Sequence, residues 1–251
     1  MNDLMSFGWH RVWKDHFVSS LNPGFTVDHV SGQAATPQRI LDVAGGTGDI
    51  AFRMLRHAHA INKNPNTHVT ISDINAAMLS VGQERAQYHL PPSQQAALTF
   101  LEADATSFCA PDGSHTVASS STDLYTVAFG IRNFSDIRAA LREAYRVLRP
   151  GGVFACLEFS KIASTDSNPA AALFDAAYKR WSFSAIPMIG QLVAGDRDSY
   201  QYLVESIERF PTQNEFRDMI VDAGFAVAGC GYENLTGGIA AIHKGMKPMN
   251  N

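Results

Sequence analysis

The stretch that decides the fold is Arg39-Ile40-Leu41-Asp42-Val43-Ala44-Gly45-Gly46-Thr47-Gly48-Asp49. An apolar segment ends here in an acidic residue, and clustered glycines lead into a helical pattern. Because glycine has no Cβ atom, Gly46 and Gly48 allow the backbone to turn sharply and to approach a ligand closely. The stretch therefore predicts a strand, a ligand-binding turn and a helix. The spacing Gly46-x-Gly48-x-x-Ala51 also satisfies the dinucleotide-binding pattern, so the turn alone does not identify the ligand.

Apolar strands and helical patterns alternate from this stretch onward. Strands are predicted at residues 39–43, 68–72, 98–102, 123–128 and 153–159, and helices at 50–60, 76–89 and from about 136 to 148. A Thr212-x-x-Glu215 capping box predicts a further helix to about Ala223, and residues 226–232 and 238–243 are predicted as a terminal pair of strands. Apolar strands that alternate with helices are typical of an α/β fold with a doubly wound, mostly parallel sheet.

Two segments interrupt this alternation. Residues 110–122 are polar and rich in serine without an apolar period, which predicts a mobile surface loop. Residues 161–205 are helical in pattern and carry six aromatic side chains, and we interpret them as an inserted helical cap over the active site. The whole chain, residues 1–251, is otherwise predicted to be a single domain.

Composition narrows the possible functions. The formal net charge of −4 argues against nucleic acid as a partner, since binding a phosphate backbone requires a basic surface. The three cysteines, Cys109, Cys156 and Cys230, are isolated and odd in number, which argues against a disulfide framework. The nine histidines are scattered, so we expect no metal site.

Three acidic residues at the carboxyl ends of predicted strands indicate the cofactor. Asp42 lies four positions before Gly46, where its carboxylate can hold the ammonium group of S-adenosylmethionine, a group that NAD lacks. Asp73 can accept hydrogen bonds from two ribose hydroxyls, and Asp104 can accept one from an adenine amino group. Other interpretations remain open, since Asp73 is also a good helix N-cap and Asp104 can be a solvated surface acid.

Several further motifs resemble one known family, the ubiquinone/menaquinone biosynthesis C-methyltransferases. The segments that carry the resemblance are residues 41–49, Ser72-Asp73-Ile74-Asn75, Phe129-Gly130-Ile131-Arg132-Asn133, residues 145–152, Leu157-Glu158-Phe159-Ser160 and residues 198–207. The resemblance covers nearly the whole chain and is greatest to the mitochondrial members, which methylate a ring carbon of 2-methoxy-6-polyprenyl-1,4-benzoquinol. It implies a Rossmann-like class I methyltransferase with a terminal antiparallel strand and S-adenosylmethionine as cofactor.

The family's cofactor positions correspond to Thr47, Asp73, Asp104, Ala105 and Ala128, in addition to the acid and glycines of the first stretch. Where Ala128 stands, the family often has serine, so only the backbone can serve at this position. Alternative functions are a bacterial-type demethylmenaquinone methyltransferase and a non-catalytic scaffold that retains the cofactor fold. An NAD-dependent oxidoreductase is disfavoured by Asp42 and by the segment at residues 146–152.

Three residues are predicted to act on the quinol. Arg132, which is always protonated, would stabilise a phenolate or polarise a water that takes its proton. Asn133 would bind the second quinol oxygen, and His10 is a second candidate base because its ordinary pKa lies near neutrality. The alternatives are an ion pair of Arg132 with Asp136, a turn-forming asparagine and a structural histidine.

The resemblance also carries expectations about the cellular setting. It implies a polyprenyl benzoquinol substrate, peripheral contact with the matrix side of the mitochondrial inner membrane, a homodimer, and a multi-enzyme complex with other ubiquinone-biosynthesis proteins. The segment from Met1 to Gly8 begins inside a family motif and lacks the Arg-rich transit peptide of a precursor. We therefore expect a truncated or processed chain.

Overall fold

The computed structural model describes residue 6 and residues 8–25, 36–109, 112–161 and 197–249. The strands are β1 (Gln38–Val43), β2 (Thr67–Asp73), β3 (Leu98–Glu102), β4 (Thr122–Ala128), β5 (Leu148–Phe159), β6 (Tyr232–Leu235) and β7 (Ala240–Met246). The helices are α1 (His10–Leu21), α2 (Asp49–Ala60), α3 (Ala76–His89), α4 (Pro92–Gln95), α5 (Ile137–Val147), α6 (Arg197–Arg209) and α7 (Gln213–Asp222). Short 3-10 helices cover Ile131–Asn133 and Thr236–Gly238.

The seven strands form one sheet in the order β3-β2-β1-β4-β5-β7-β6. The first five strands in this order, β3, β2, β1, β4 and β5, are each parallel to their neighbours. Strand β7 is antiparallel to both β5 and β6. The predicted α/β fold with a mostly parallel sheet and a terminal antiparallel strand is confirmed. Because β1 to β4 are parallel, their carboxyl ends meet at one edge, and the predicted cofactor residues follow them.

Helices cover the sheet through two apolar clusters. One cluster joins α1 and α2 to β1 and β2, with Phe17, Met54 and Ile71 at its centre. The other joins α5 and α7 to β4 and β5 through Leu141, Phe154 and similar residues. Since each cluster is buried against a different set of helices, the sheet is doubly wound as predicted.

The helix starts follow local sequence signals. The side chain of Asn75 accepts hydrogen bonds from the first backbone amides of α3, and Asp136 caps α5 through the Ala139 amide at 2.9 Å. The predicted capping box of Thr212 and Glu215 is present at α7. These caps satisfy amides that would otherwise lack partners, so they fix where each helix begins.

The last predicted strand pair is partly wrong. The structure has a strand at Tyr232–Leu235, whereas the sequence predicts 226–232. Gly229 and Gly231 have φ values of 57° and 81°, which turn the chain before a strand can form. Ala226 makes only an isolated bridge with Met246, so the apolar alternation before Tyr232 is not a strand.

Most of the predicted cap at residues 161–205 lies outside the described residues. From residue 197 onward the predicted cap is described, and it forms the amino-terminal part of α6, which continues to Arg209. In the polar segment before β4, Arg146 donates to the Ser119 hydroxyl and the Val117 carbonyl at 3.0 Å each, so α5 holds this loop. No described helix is both long and apolar enough to cross a membrane.

Candidate functional site

A cavity of about 160 Å³ lies where β1, β2 and β3 end. We call it the strand-end cavity, and it is lined by Val43, Ala44, Asp73, Ile74, Ala103, Asp104, Ala105, Asn133, Phe134 and Ser135. A larger hollow of about 310 Å³ lies at the amino half of the same strands, lined by residues such as Arg39 and His68. The smaller cavity is the candidate site, because ligands of open α/β sheets bind at the carboxyl ends of strands.

The glycine turn has the backbone shape that the sequence predicts. Gly46 and Gly48 have φ values of 53° and 82°, a region that residues with a side chain rarely adopt. A Cβ atom at Gly48 would lie 2.7 Å from the ring of Phe52, so no larger residue fits there without rearrangement. The turn leads directly into α2, with Gly48 as the N-cap residue. The first amides of a helix are suited to binding an anionic group of a ligand.

Two backbone strain points border this turn. Ala44 and Phe129, which follow β1 and β4, have φ values of 51° and 57° although neither is glycine. Gly130 approaches Ala44 so closely that a Cβ atom on Gly130 would lie 2.5 Å from that of Ala44. Unfavourable backbone conformations of this kind concentrate at ligand sites, where the surrounding structure holds them.

Asp42 is a buried acid, and only one of its two carboxylate oxygens is hydrogen-bonded among the described residues. Its side chain is 1% exposed, and its Oδ1 accepts a hydrogen bond from the Thr126 hydroxyl at 2.8 Å. Its Oδ2 is buried and has no hydrogen-bond partner among the described residues. Burial raises the pKa of Asp42 to about 7, although the Thr126 hydroxyl and the nearby Ala51 amide in α2 act to lower it. The Ala51 amide lies outside hydrogen-bonding geometry to Oδ2. An unpaired buried carboxylate oxygen fits the ammonium of a ligand, which would satisfy the oxygen and favour its charge.

The Asp42 pKa predicts that the free protein loses stability as pH rises. The folded pKa of about 7 lies above the ordinary 3.8. Between pH 3.8 and pH 7, Asp42 therefore stays protonated in the folded protein but is ionised in the unfolded chain. Its stabilising effect is complete below pH 4 and is lost through pH 7. Asp42→Asn should therefore be more stable than wild type by only about 1 kcal/mol at pH 4.5 but by about 4 kcal/mol at pH 8. Urea unfolding at both pH values tests this, and an equal pH dependence in the two proteins would contradict it.

Asp73 is fixed at the end of β2 by two backbone amides. Its Oδ2 accepts from the Gly46 amide and its Oδ1 from the Asn75 amide, each at 2.9 Å. The alternative role as helix N-cap is wrong, because the Asn75 side chain caps α3 instead. Each carboxylate oxygen retains a lone pair, so Asp73 can accept two hydroxyl groups from a ligand in the strand-end cavity.

The other predicted cofactor residues differ in how they meet the strand-end cavity. Asp104 and Ala105 line it, and Asp104 Oδ1 accepts from both the amide and the hydroxyl of Thr106 at 2.8 Å. Thr47 lies in the glycine turn, where its hydroxyl and carbonyl accept from Arg85. Ala128 ends β4, half-buried. Of these four residues, only Asp104 and Ala105 are among those that line the strand-end cavity.

Arg132 is buried and paired with an acid that the sequence analysis did not select. Its Nη1 lies 2.6 Å from Oε1 of Glu158 on β5, and the two side chains are only 7% and 2% exposed. The alternative ion pair with Asp136 is wrong, since Asp136 accepts the Ala139 amide as a helix cap. Nη1 also donates to the Phe129 carbonyl at 2.7 Å, whereas the buried Nε has no partner among the described residues.

A second hollow of about 240 Å³ adjoins Arg132. We call it the Arg132 hollow, and it is lined by Arg132, Asn133, Phe134, Ile137, Tyr202, Ser206, Arg209 and Phe210. Asn133 and Phe134 also line the strand-end cavity, so the two spaces share a wall. The Tyr202 hydroxyl lies 3.4 Å from Asn133 Oδ1, which ties α6 to this wall. A cofactor in one space and an acceptor in the other would therefore be neighbours.

Comparison with known proteins identifies the family. The model of the ubiE/COQ5 methyltransferase family matches residues 1–247. A protein of Schizosaccharomyces pombe named mitochondrial 2-methoxy-6-polyprenyl-1,4-benzoquinol methylase is 50% identical over 248 residues, covering 98% of this chain and 74% of that protein. This chain belongs to the ubiE/COQ5 methyltransferase family. The resemblance drawn from the motifs is confirmed, and the chain is a methyltransferase.

Other members of the ubiE/COQ5 family and distant structures agree with this assignment. A Bartonella tribocorum protein named ubiquinone/menaquinone biosynthesis C-methyltransferase UbiE is 48% identical over 98% of this chain and 82% of its own length. The crystal structure of a SAM-dependent methyltransferase from Aquifex aeolicus has a TM-score of 0.54 at 14% identity, covering 93% of this chain and 98% of that one. At this identity the likeness shows the fold alone.

His10 is the first residue of α1 and lines neither the strand-end cavity nor the Arg132 hollow. It is buried, and its Nδ1 lies 3.0 Å from the Ser6 hydroxyl oxygen. One turn further along α1, the Trp13 ring meets Phe159 edge-on and the Lys14 ammonium lies 5.8 Å from the centre of the Phe129 ring. Helix α1 therefore packs on the residues that flank Arg132, and the assignment of His10 as a base stays a prediction.

Proposed function

We propose that the protein transfers a methyl group from S-adenosylmethionine to a ring carbon of 2-methoxy-6-polyprenyl-1,4-benzoquinol, a step in ubiquinone biosynthesis. The observation that carries the proposal is the 50% identity, over 98% of this chain, to the S. pombe protein named for this activity. The alternative acceptor is demethylmenaquinol, because bacterial relatives are named for both ubiquinone and menaquinone biosynthesis.

The cofactor assignment is supported by Asp73 and Asp104, which line the strand-end cavity, and by Asp42, which is buried next to the lining residue Val43. The unpaired Oδ2 of Asp42 would accept from the amino group, the carboxylate of Asp73 from the ribose hydroxyls and Asp104 from the adenine amino group. The neighbouring Ala105 closes the cavity beside Asp104. When bound, the cofactor supplies an electrophilic methyl group on a positively charged sulfur. These residues hold it at the carboxyl edge of the sheet, next to Arg132 and Asn133.

The acceptor side of the site supplies orientation and charge. Carbon methylation needs an electron-rich ring, and a quinol becomes electron-rich at its ring carbons when a hydroxyl loses its proton. The guanidinium of Arg132 cannot take that proton, so it passes to a water or to the candidate base His10, and the free Nε of Arg132 can donate to the resulting phenolate oxygen. After the methyl group has moved from sulfur to carbon, the methylated ring carbon releases its own proton to water and the ring becomes aromatic again. The Asn133 amide would bind the second quinol oxygen. Because the reaction is a direct displacement, holding the acceptor close and aligned accounts for much of the acceleration.

The cellular setting belongs to the same proposal. The S. pombe relative is named as mitochondrial, which supports a mitochondrial location. We extend this to the matrix side of the inner membrane, because a quinol with a polyprenyl tail is confined to the bilayer. Peripheral contact with that membrane, pairing into a homodimer and association with other ubiquinone-biosynthesis proteins complete the proposal.

Turnover on two acceptors tests the proposal. Purified protein with S-adenosylmethionine should methylate a short-tailed 2-methoxy-6-prenyl-1,4-benzoquinol at least tenfold more efficiently, in kcat/KM, than a short-tailed demethylmenaquinol. Such a ratio corresponds to about 1.4 kcal/mol of transition-state discrimination. The reverse order would favour the naphthoquinol alternative. Binding of S-adenosylmethionine without turnover on either acceptor would favour the scaffold.

A further inference from the structure

The buried partner of Arg132 lines neither the strand-end cavity nor the Arg132 hollow. Glu158 interrupts an otherwise apolar run on β5, between Leu157 and Phe159, and it is 1% exposed. A buried ion pair is seldom more stable than a pair of apolar residues of similar volume, because both charges lose their hydration. Stability is therefore a weak reason for an acid at this position, and a role in the reaction is the stronger one.

We propose that Glu158 is a positioning residue that sets the orientation of the Arg132 guanidinium for the acceptor oxygen. This inference rests on the proposed function. Glu158 Oε1 accepts from Nη1 of Arg132 at 2.6 Å and from the Phe159 amide at 2.9 Å, and Oε2 accepts from the Arg132 amide at 3.4 Å. The carboxylate is thus fixed to the backbone of β5 while it holds both the main chain and the side chain of Arg132.

The contacts of Arg132 show what this orientation achieves. Nη1 is shared between Glu158 and the Phe129 carbonyl, and the guanidinium carbon lies 5.7 Å from the centre of the Phe159 ring. The Glu158 carboxylate, the Phe129 carbonyl and the Phe159 ring together fix the plane of the Arg132 guanidinium. The Nε donor is left buried without a partner among the described residues, and Arg132 lines the Arg132 hollow. A buried N–H donor without a partner lowers the stability of the folded protein. The Nε of Arg132 is therefore suited to donate to an oxygen of a bound ligand.

The negative charge of Glu158 also contributes to the positioning of Arg132. Burial raises the pKa of its carboxyl group, and the neighbouring Arg132 acts to lower it. While Glu158 is ionised, its charge balances that of Arg132 in the free site. A phenolate that forms beside Nε then meets a donor already held in place. Without the carboxylate, the guanidinium could turn away, and a misplacement of about 1 Å can cost a hundredfold in rate.

Glu158→Gln tests the proposal, because it keeps the shape and one acceptor oxygen but removes the charge. With S-adenosylmethionine and the short-tailed quinol, kcat should fall about tenfold to a hundredfold, while KM for the quinol and Kd for the cofactor stay within about threefold. The loss should shrink as pH rises, since a quinol that ionises in solution needs less help from Arg132. A purely structural role predicts a loss that is the same at every pH, and that result would overturn the proposal.

A binding readout separates failure of this inference from failure of the proposed function. A short-tailed methoxy-nitrophenol, whose phenolate absorbs visible light, is titrated while bound with S-adenosylhomocysteine. Wild type should lower the pKa of the bound phenol. Glu158→Gln removes a negative charge, which by itself would lower that pKa further, so a rise of about one unit toward the free value reports displacement of the guanidinium, and a lower value than in wild type would overturn the inference. Equal phenol pKa values in the two proteins would overturn the inference even if the wild type methylates the quinol. A lowered value without any turnover would contradict only the proposed function.

Cys156→Ala is the matched control. Cys156 is fully buried two positions earlier on β5, on the same face of the sheet as Glu158. Its truncation should lower the melting temperature through a small cavity and leave kcat, its pH dependence and the phenol pKa unchanged. If Cys156→Ala reproduces the Glu158→Gln effects, loss of packing on β5 explains both, and the positioning role is wrong.

Discussion

Replacing Arg132 with lysine should lower turnover of the quinol about a hundredfold while the affinity for S-adenosylmethionine changes less than about threefold. Lysine keeps the positive charge beside Glu158, so the buried acid is not left unpaired. It loses the planar fork and the Nε donor, which is the atom that has no partner among the described residues. Loss of one donor to a developing oxyanion typically costs a hundredfold to a thousandfold in rate.

Arg138→Lys is the control for this substitution. Arg138 makes an ion pair with Asp222 at 2.9 Å on the surface, with both side chains more than half exposed. Exposed pairs contribute little, so this variant should match wild type in both turnover and cofactor binding. If Arg132→Lys also turns over normally, the pair with Glu158 is only structural and another group must stabilise the phenolate.

Replacing Asp73 with alanine should weaken binding of S-adenosylmethionine about 30-fold to 150-fold. The change removes a charged hydrogen-bond partner, a loss worth about 2–3 kcal/mol. Titration calorimetry measures it directly. The control is Glu102→Ala, because Glu102 pairs with Asp73 at the same register position on β3 and does not line the strand-end cavity. Glu102→Ala should bind the cofactor like wild type.

Asp73 also supports the glycine turn, so its two roles must be separated. The Gly46 and Asn75 amides both donate to its carboxylate, and alanine removes these bonds too. A cofactor analogue without the 2′-hydroxyl distinguishes the cases in a double-mutant cycle. If Asp73 binds the ribose, the missing hydroxyl weakens binding to wild type but hardly further to Asp73→Ala. Equal weakening in both proteins would show that Asp73 only supports the turn.

The fold and the cofactor side of the site could be predicted from local sequence patterns. Strand ends, glycine spacing and helix caps depend on residues within a few positions of one another, as at Asp42, Gly46 and Gly48. The strand predicted before Tyr232 is wrong because its local sequence pattern is misleading. Its apolar alternation is typical of a strand, but Gly229 and Gly231 adopt positive φ values that break the pairing with β7.

The acceptor side could be predicted only in part, because its contacts join distant segments. The alternative partner that the sequence offers for Arg132 is Asp136, four positions away, whereas the structure pairs Arg132, in the 3-10 helix after β4, with Glu158 on the neighbouring strand β5. Likewise, Thr126 lies opposite Asp42 in the sheet and provides the one hydrogen bond to its side-chain Oδ1. The lone acid in the apolar run from Val153 to Phe159 was the available signal for Glu158. Its partner could be found only once the strand order was known.

Methyl transfer to a ring carbon is tested most directly by the position of the methyl group in the product. The protein is incubated with S-adenosylmethionine carrying a ¹³C-labelled methyl group and with short-tailed 2-methoxy-6-prenyl-1,4-benzoquinol, and the product is analysed by NMR. We predict that the labelled methyl is bonded to a ring carbon and that both quinol oxygens remain free. A labelled methyl on oxygen, or no labelled product while S-adenosylmethionine binds normally, would contradict the assignment.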